Sequence, residues 1–321
     1  MVSREEILNS LQYVVDNSKF VSISQNAILK YVQNFVLTPA THWSHQTPFK
    51  YPGQKTFEEE IDFLFLIGNQ AFCYWGSPKW TIDYQNQKLD GWWAAIASFQ
   101  RAIESGTSIL DGSYLASLSE EQTKELFAGT PEIPLLIERQ GMLNKIGRVL
   151  EAKYAGSFHN FFSSVDKTAI NLAQALSDEF AGFDDTASYK GKRVYFYKKA
   201  QLVVNDIFSN ILGQDSNITG IGQLLGTADY KIPAILRQHW ILEYTTDLAE
   251  RIDNQVEILE KSEEEVEIRA SQLIAVKQIS DLLKPKYPQL TPPAIQDILW
   301  LSTQGLGSLQ KPYHLTKTIY Y

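Results

Sequence analysis

The sequence predicts an all-α fold with one minor β-hairpin, compact and two-lobed, with a site between the lobes. Two observations predict it. Helix-start signals recur along the chain. Ser3 with Glu6, Thr56 with Glu59, Ser119 with Gln122 and Ser262 with Glu265 all have the spacing at which a hydroxyl and an acid or amide satisfy a helix's first free amides. In contrast, one segment only, Trp80 to Leu89, alternates polar and apolar residues about a polar turn, as a hairpin does.

In chain order, Ile7, Leu11 and Val14 recur at helical spacing behind Ser3. Residues 38–55 form a polar, proline-containing loop, long enough to be a lid or a surface excursion. Thr56 then opens a helix whose apolar run, Phe63 to Ile67, is far too short to span a bilayer. The hairpin follows, set between the aromatic runs at 72–75 and 91–93, where it can brace one wall of a pocket. Gly106, Gly129, Gly182 and Gly213 sit where helices end. Ile170, Leu172, Ala175 and Leu176 carry another helical stripe, and Thr291 before Pro292 opens a further helix. The chain reads as a single domain over 1–321, with a soft internal boundary near 184–192.

The run from Gly191 to Gln201 reads as a helix of unusual character. Phe196, Ala200, Val203, Ile207 and Ile211 form one apolar stripe, while Val194, Tyr195 and Leu202 populate the opposite side. A helix apolar nearly all round is buried. Lys198 sits amid that second side, where a charge is costly unless it faces a partner or a polar cavity. Asp229 lies between Ala228 and Tyr230, just before a helix that Pro233 can open. A lysine and an acid on such apolar elements suggest a pocket handling an anion and a reactive cation.

Composition bounds the function class. Of 321 residues, 44% are hydrophobic and 21% charged, which is ordinary for a globular protein. A net charge of -8 speaks against a duplex-DNA binder, which needs Lys and Arg against phosphates. Cys73 is the only cysteine, so no internal disulfide or thiol-rich metal site can form, as suits a reducing compartment. No secretory signal is evident at the N-terminus. His42 and His45 lie three apart with no third ligand nearby, too little for a metal site. The sequence lacks the glycine-rich dinucleotide and phosphate-loop motifs and the Gly-x-Ser-x-Gly turn. The expectation is a cytoplasmic monomer with a small-molecule substrate, no membrane span and no direct nucleic-acid contact.

Several motifs carry a resemblance. Tyr197-Lys-Lys-Ala-Gln201 and Ala228-Asp-Tyr-Lys-Ile-Pro233 are joined by Phe72-Cys-Tyr-Trp75, Gly91-Trp-Trp93 and Ile133-Pro-Leu-Leu-Ile-Glu-Arg139. Glu265-Val-Glu-Ile-Arg269, Pro312-Tyr-His314 and Ile319-Tyr-Tyr321 complete the series. Together, in this order and over nearly the whole chain, they resemble the queuosine salvage family, the queuosine 5'-phosphate N-glycosidases. One departure stands out: where similar family members often carry Asn before the Phe-x-aromatic-Trp run, this chain has Ala71.

The resemblance implies hydrolysis of queuosine 5'-monophosphate to queuine and ribose 5-phosphate, for queuine salvage into tRNA. It implies no metal or organic cofactor, since water is the nucleophile. It places Asp229 as the catalytic residue. Cleaving the glycosidic bond builds positive charge on the ribose, which a fixed carboxylate stabilises while it orients or deprotonates water. The 7-deazaguanine base lacks the ring nitrogen that ordinary purines protonate on leaving, so more of the barrier falls on stabilising the cation. The residues alone favour Asp229 as a helix cap, and the resemblance reverses that reading.

The other candidates carry two readings each. Lys198 is a phosphate or substrate contact, or a solvated lysine; Lys199 is its neighbour by one step of helix phase. Phe72, Tyr74, Trp75 and Trp93, beside Trp92, are core packing or a stacking wall, each stack being worth ~1–3 kcal/mol. Tyr230 shares the Asp229 motif. Asp206, Asp185, Glu267 and Arg269 face the substrate or pair within the structure, and His314 contacts phosphate or is packed. The segment Ile218 to Asp229 resembles, distantly, the helix-hairpin-helix region of DNA glycosylases. A nucleic-acid base-excision glycosylase and a non-catalytic helical nucleoside-binding module are the alternatives.

Overall fold

The computed structural model describes residues 2–37, 42–304 and 309–321. The first part runs α1 (Arg4–Asp16), β1 (Val21–Ile23), α2 (Gln25–Gln33), α3 (Phe57–Asn69), β2 (Thr81–Tyr84), β3 (Gln87–Asp90), α4 (Gly91–Glu104), α5 (Gly112–Ala116), α6 (Glu120–Leu126), α7 (Leu136–Lys153), α8 (Phe158–Ser164) and α9 (Ala169–Glu179). The second runs β4 (Thr186–Tyr189), β5 (Lys192–Tyr195), α10 (Lys198–Phe208), α11 (Lys231–Gln238), β6 (Leu242–Tyr244), α12 (Thr246–Asp253), α13 (Glu263–Leu283) and α14 (Pro292–Ser302). The fold is thus mostly α, with small antiparallel strand pairs.

The helix starts follow the sequence signals. Ser3, Thr56, Ser119, Ser262 and Thr291 are N-caps whose hydroxyls accept a backbone N–H, and Ser119 with Gln122 completes the reciprocal pair. At Ser262 the box is modified: the Glu265 carboxylate reaches back to the N–H of Lys261 instead.

The hairpin at β2–β3 turns through Gln85 and Asn86, both with positive φ, the twist that a two-residue hairpin requires. A second hairpin, β4–β5, was not expected. It turns the same way through Lys190 (φ 47°) and Gly191 (φ 78°). This corrects the helix expected from Gly191. Residues 192–195 are a strand with Val194 buried, and the helix begins only at Lys198. The all-round apolar character came from reading a strand and a helix at one period. The third pair, β1–β6, joins residues over 200 positions apart, so no local alternation announces it.

Two large buried apolar clusters make most of the core, and Phe72, Cys73, Trp75 and Met142 form a small third one. Of the large ones, one gathers α1, α3, α4, α7, α9 and α10; the other gathers α2, α11, α12 and α14. Helix α13 is buried along most of its length and serves both, with Val266, Ala270 and Leu273 in the first and Ile268, Val276 and Ile279 in the second. The loop expected as a lid or excursion instead packs inward: His42, Trp43, Phe49 and Tyr51 are buried, while residues 38–41 lie outside the described residues. No helix among the described residues is long and apolar enough to cross a membrane.

Candidate active site

Beside Phe72, against the first cluster, lies a cavity with about 710 Å³ of empty space, its open mouth included. Its lining comes from segments far apart in the chain: Trp43, Ala71, Phe72, Tyr74, Trp92, Lys198, Thr227, Asp229, Tyr230, Lys231, Gln296, Asp297, Trp300 and Tyr321 among them.

Asp229 stands on a short segment held from several sides. The amides of Leu225 and Gly226 donate to Gln201 Oε1 at 2.7 and 3.0 Å. Gly226 has φ 95° and no room for a Cβ against the Gln296 side chain. Gln272 and Gln296 both donate to the carbonyl of Thr227, and Arg269 donates to that of Ala228 at 3.2 Å. Asp229 Oδ1 accepts from the backbone N–H groups of Lys231 and Ile232, each at 2.9 Å, so it does cap α11. Pro233 falls two residues inside that helix rather than at its start. Among the described residues no group donates to Oδ2. Capping with one oxygen leaves the other for the cavity, so the two readings of Asp229 are compatible. Burial raises its pKa, while the charge of Lys198 and the two helix amides limit the rise.

Lys198 opens α10. Its Nζ donates to the carbonyl of Ala71 at 2.8 Å, and its N–H donates to Asp185 Oδ2 at 3.1 Å. Burial lowers its pKa to about 8, with Asp229 and Asp185 opposing the fall. The residue before it, Tyr197, holds φ 49°, fixed by an N–H donated to the Asp185 carbonyl. Lys199 points the other way. Its Nζ donates to the Asn69 carbonyl at 2.8 Å, lies 4.8 Å from the Phe72 ring centre and does not reach the cavity.

The aromatics divide. Phe72, Tyr74 and Tyr230 border the cavity, but Trp75 and Trp93 do not. Trp75 donates to the Thr316 carbonyl and packs with Cys73 and Met142. Trp93 sits one helix step behind Trp92, edge-on to Trp43 and Trp300. In α4 the following residue points about 100° away, so Trp92 takes the cavity side. Arg139, fully buried, fixes the Phe72 turn by donating to the carbonyls of Gln70, Phe72 and Cys73, with its guanidinium 4.0 Å from the Phe72 ring centre.

Three further candidates lie away from the cavity. Asp206 accepts from His42 Nε2 and Trp43 Nε1, both at 3.0 Å, and so seats Trp43. Burial works against a charge on His42, but its hydrogen bond to Asp206 and that residue's charge prevail and raise its pKa. Glu267 ties α13 to the turn before β1, accepting from Ser18, Phe20 and the Tyr189 hydroxyl. His314 packs against Tyr321, its Nε2 3.3 Å from the hydroxyl, and burial beside Arg269 lowers its pKa to about 3. A histidine so held neutral is no phosphate cation.

Sequence reasoning missed Trp43, hidden in a loop read as polar, and Lys231, Thr227 and Gln296. It also missed Asp297 and Trp300 on α14. One signal could have found Asp297: it is the only charge in a mostly apolar helix, Pro292–Ser302.

Residues 50–321 match the queuosine salvage protein family. The chain belongs to that family. A queuosine 5'-phosphate N-glycosylase/hydrolase of Sphaerobacter thermophilus is 34% identical over 98% of this chain and 97% of its own length. Proteins of the same name from Mus musculus and Dictyostelium discoideum are each 28% identical, over 97% and 95% of both chains respectively. Within this chain, Ala71 stands at the cavity and offers Lys198 a backbone carbonyl. The nearby Asn69 turns its amide to the Ala181 carbonyl and does not substitute for a side chain there.

Proposed function

We propose that this protein hydrolyses the N-glycosidic bond of queuosine 5'-phosphate, releasing queuine and ribose 5-phosphate for reuse of the base in tRNA modification. The observation that carries it is a cavity bringing Asp229, Lys198 and aromatic faces together in a chain of this family. Asp229 Oδ2 faces the ribose carbon as positive charge develops and takes the proton of the attacking water. Its anchored Oδ1 keeps the carboxylate in place without reorganisation during the reaction. Phe72, Tyr74, Trp92 and Tyr230 hold the flat base. Lys198 meets the 5'-phosphate as an ammonium in a poorly solvated site, where a charge-assisted hydrogen bond is strong. Water serves as nucleophile, and the chain acts as a cytoplasmic monomer on a free nucleotide.

The net charge of -8 favours a free nucleotide over a nucleic-acid strand. Base release from queuosine 5'-phosphate, queuosine and a queuosine-containing RNA tests this. Release from the nucleotide far above the other two is expected. Equal release from RNA points to a base-excision enzyme, and no release from any of them to a binding module.

A further inference from the structure

We propose that Asp297 is the acid that protonates the departing base, working with Asp229 as a pair of carboxylates of opposite role in one cavity. This rests on the reaction proposed above and adds to it a second catalytic residue.

Both carboxylates line the cavity, but on different elements and in different surroundings. Asp229 precedes α11, where two helix amides and the nearby Lys198 favour its ionised form. Asp297 lies on α14. Its Oδ2 accepts from the Asn205 amide at 2.9 Å, and no described group donates to Oδ1. The charged groups around Asp297 are His42 and Asp206 behind it, with Lys231, Lys198 and Asp229 elsewhere on the cavity wall. No ion pair joins it to any of these. Burial pushes the Asp297 carboxyl up to about 7; His42 and the Asn205 hydrogen bond oppose the rise and Asp206 adds to it. Burial raises both carboxyls, but a lysine and two helix amides support the charge of Asp229 while one side-chain amide meets Asp297, and such unlike surroundings suit two carboxyls to opposite roles.

The leaving group needs such an acid. With carbon at position 7, the base keeps N3 as its basic ring nitrogen beside the scissile bond. The C1'–N9 bond breaks and its electron pair passes into the base. Asp297 gives its proton to N3, so the base leaves neutral. Water adds its oxygen to C1' and loses a proton to Asp229. The two carboxyls end with their protons exchanged, and solvent restores them. The sum is hydrolysis.

The test compares two leaving groups. Nitrophenolate departs without a proton, so 4-nitrophenyl β-ribofuranoside 5-phosphate does not need the acid. Asp297→Asn is expected to lose about 100-fold or more in kcat on queuosine 5'-phosphate. On the nitrophenyl substrate it should stay within about threefold of wild type, which also shows that it folds. Asp229→Asn should lose both activities. Equal losses on both substrates in Asp297→Asn overturn the proposal. A base-recognition role is separated by binding. In the Asp229→Asn background, adding Asp297→Asn should leave the Kd for queuosine 5'-phosphate nearly unchanged. A Kd weakened by as much as kcat falls overturns the proposal, whether or not the wild type accepts the nitrophenyl substrate. A wild type releasing nitrophenolate but no queuine overturns the substrate assignment; the acid is then read on phenyl β-ribofuranoside 5-phosphate, whose poorer leaving group needs the proton, and an unchanged rate there in Asp297→Asn overturns the proposal.

Discussion

Arg269 grips Asp185 with two hydrogen bonds of 3.0 and 2.5 Å, and this buried pair joins the backbone bearing Lys198 to the backbone bearing Asp229. Asp185 accepts from the Lys198 N–H, while Arg269 donates to the Ala228 carbonyl. Arg269 also lies 4.3 Å from the ring centre of Tyr321, which borders the cavity. Removing one partner leaves a buried charge uncompensated. Arg269→Met should therefore cost about 3–5 kcal/mol of stability in urea unfolding. The double variant Arg269→Met, Asp185→Leu should recover part of that loss; a double variant as unstable as the sum of the singles would refute this coupling.

Asp229→Asn should abolish base release with little change in stability. The amide keeps an oxygen for the Lys231 and Ile232 N–H groups, so the cap survives while the charge against the cationic ribose does not. Turnover and urea midpoint measured on the same preparation decide it. Near-normal turnover would reduce Asp229 to a cap.

Lys198→Met should lose more kcat/KM on queuosine 5'-phosphate than on queuosine, by about 1.5–3 kcal/mol for a lost charged hydrogen bond. Lys231→Met is the control, since Lys231 also borders the cavity. If the phosphate preference collapses only in Lys231→Met, that lysine reads the phosphate.

The same lysine predicts a pH signature. Its ammonium is present below about pH 8 and is lost as pH rises through that value. Groups of the free enzyme govern kcat/KM. The ratio of kcat/KM for queuosine 5'-phosphate to that for queuosine should therefore fall across about pH 8. Limbs shared by both substrates, from Asp229 or Asp297, cancel in the ratio. A ratio flat from neutral to alkaline pH would remove Lys198 from phosphate recognition.

Trp92→Ala should weaken binding of the nucleotide by about 1–3 kcal/mol, the worth of one stacked base. Trp93→Ala should instead lower stability first, since Trp93 packs against Trp300 and Trp43 without reaching the cavity. Isothermal titration with the inactive Asp229→Asn background reads the first, and thermal unfolding the second. Equal binding losses would place both rings against the base.

The sequence by itself determined the helix starts, because a cap such as Ser119 with Gln122 is completed within four residues. It determined the β2–β3 hairpin, whose alternation and turn are local, and the Asp229 and Lys198 motifs by their likeness to a family. The tertiary structure decided the rest. Residues 192–195 became a strand because Lys190 and Gly191 adopt the positive φ that folds them onto β4. Trp92 rather than Trp93 reached the cavity because helix phase relative to Trp43 and Trp300 fixes which ring faces inward. Glu267 and Asp206 went to structural partners, Tyr189 and His42, that lie far away in sequence. Local patterns are set by neighbours a turn or a strand pair away. Which side chain meets the cavity is set by packing between segments that the chain brings together only when it folds.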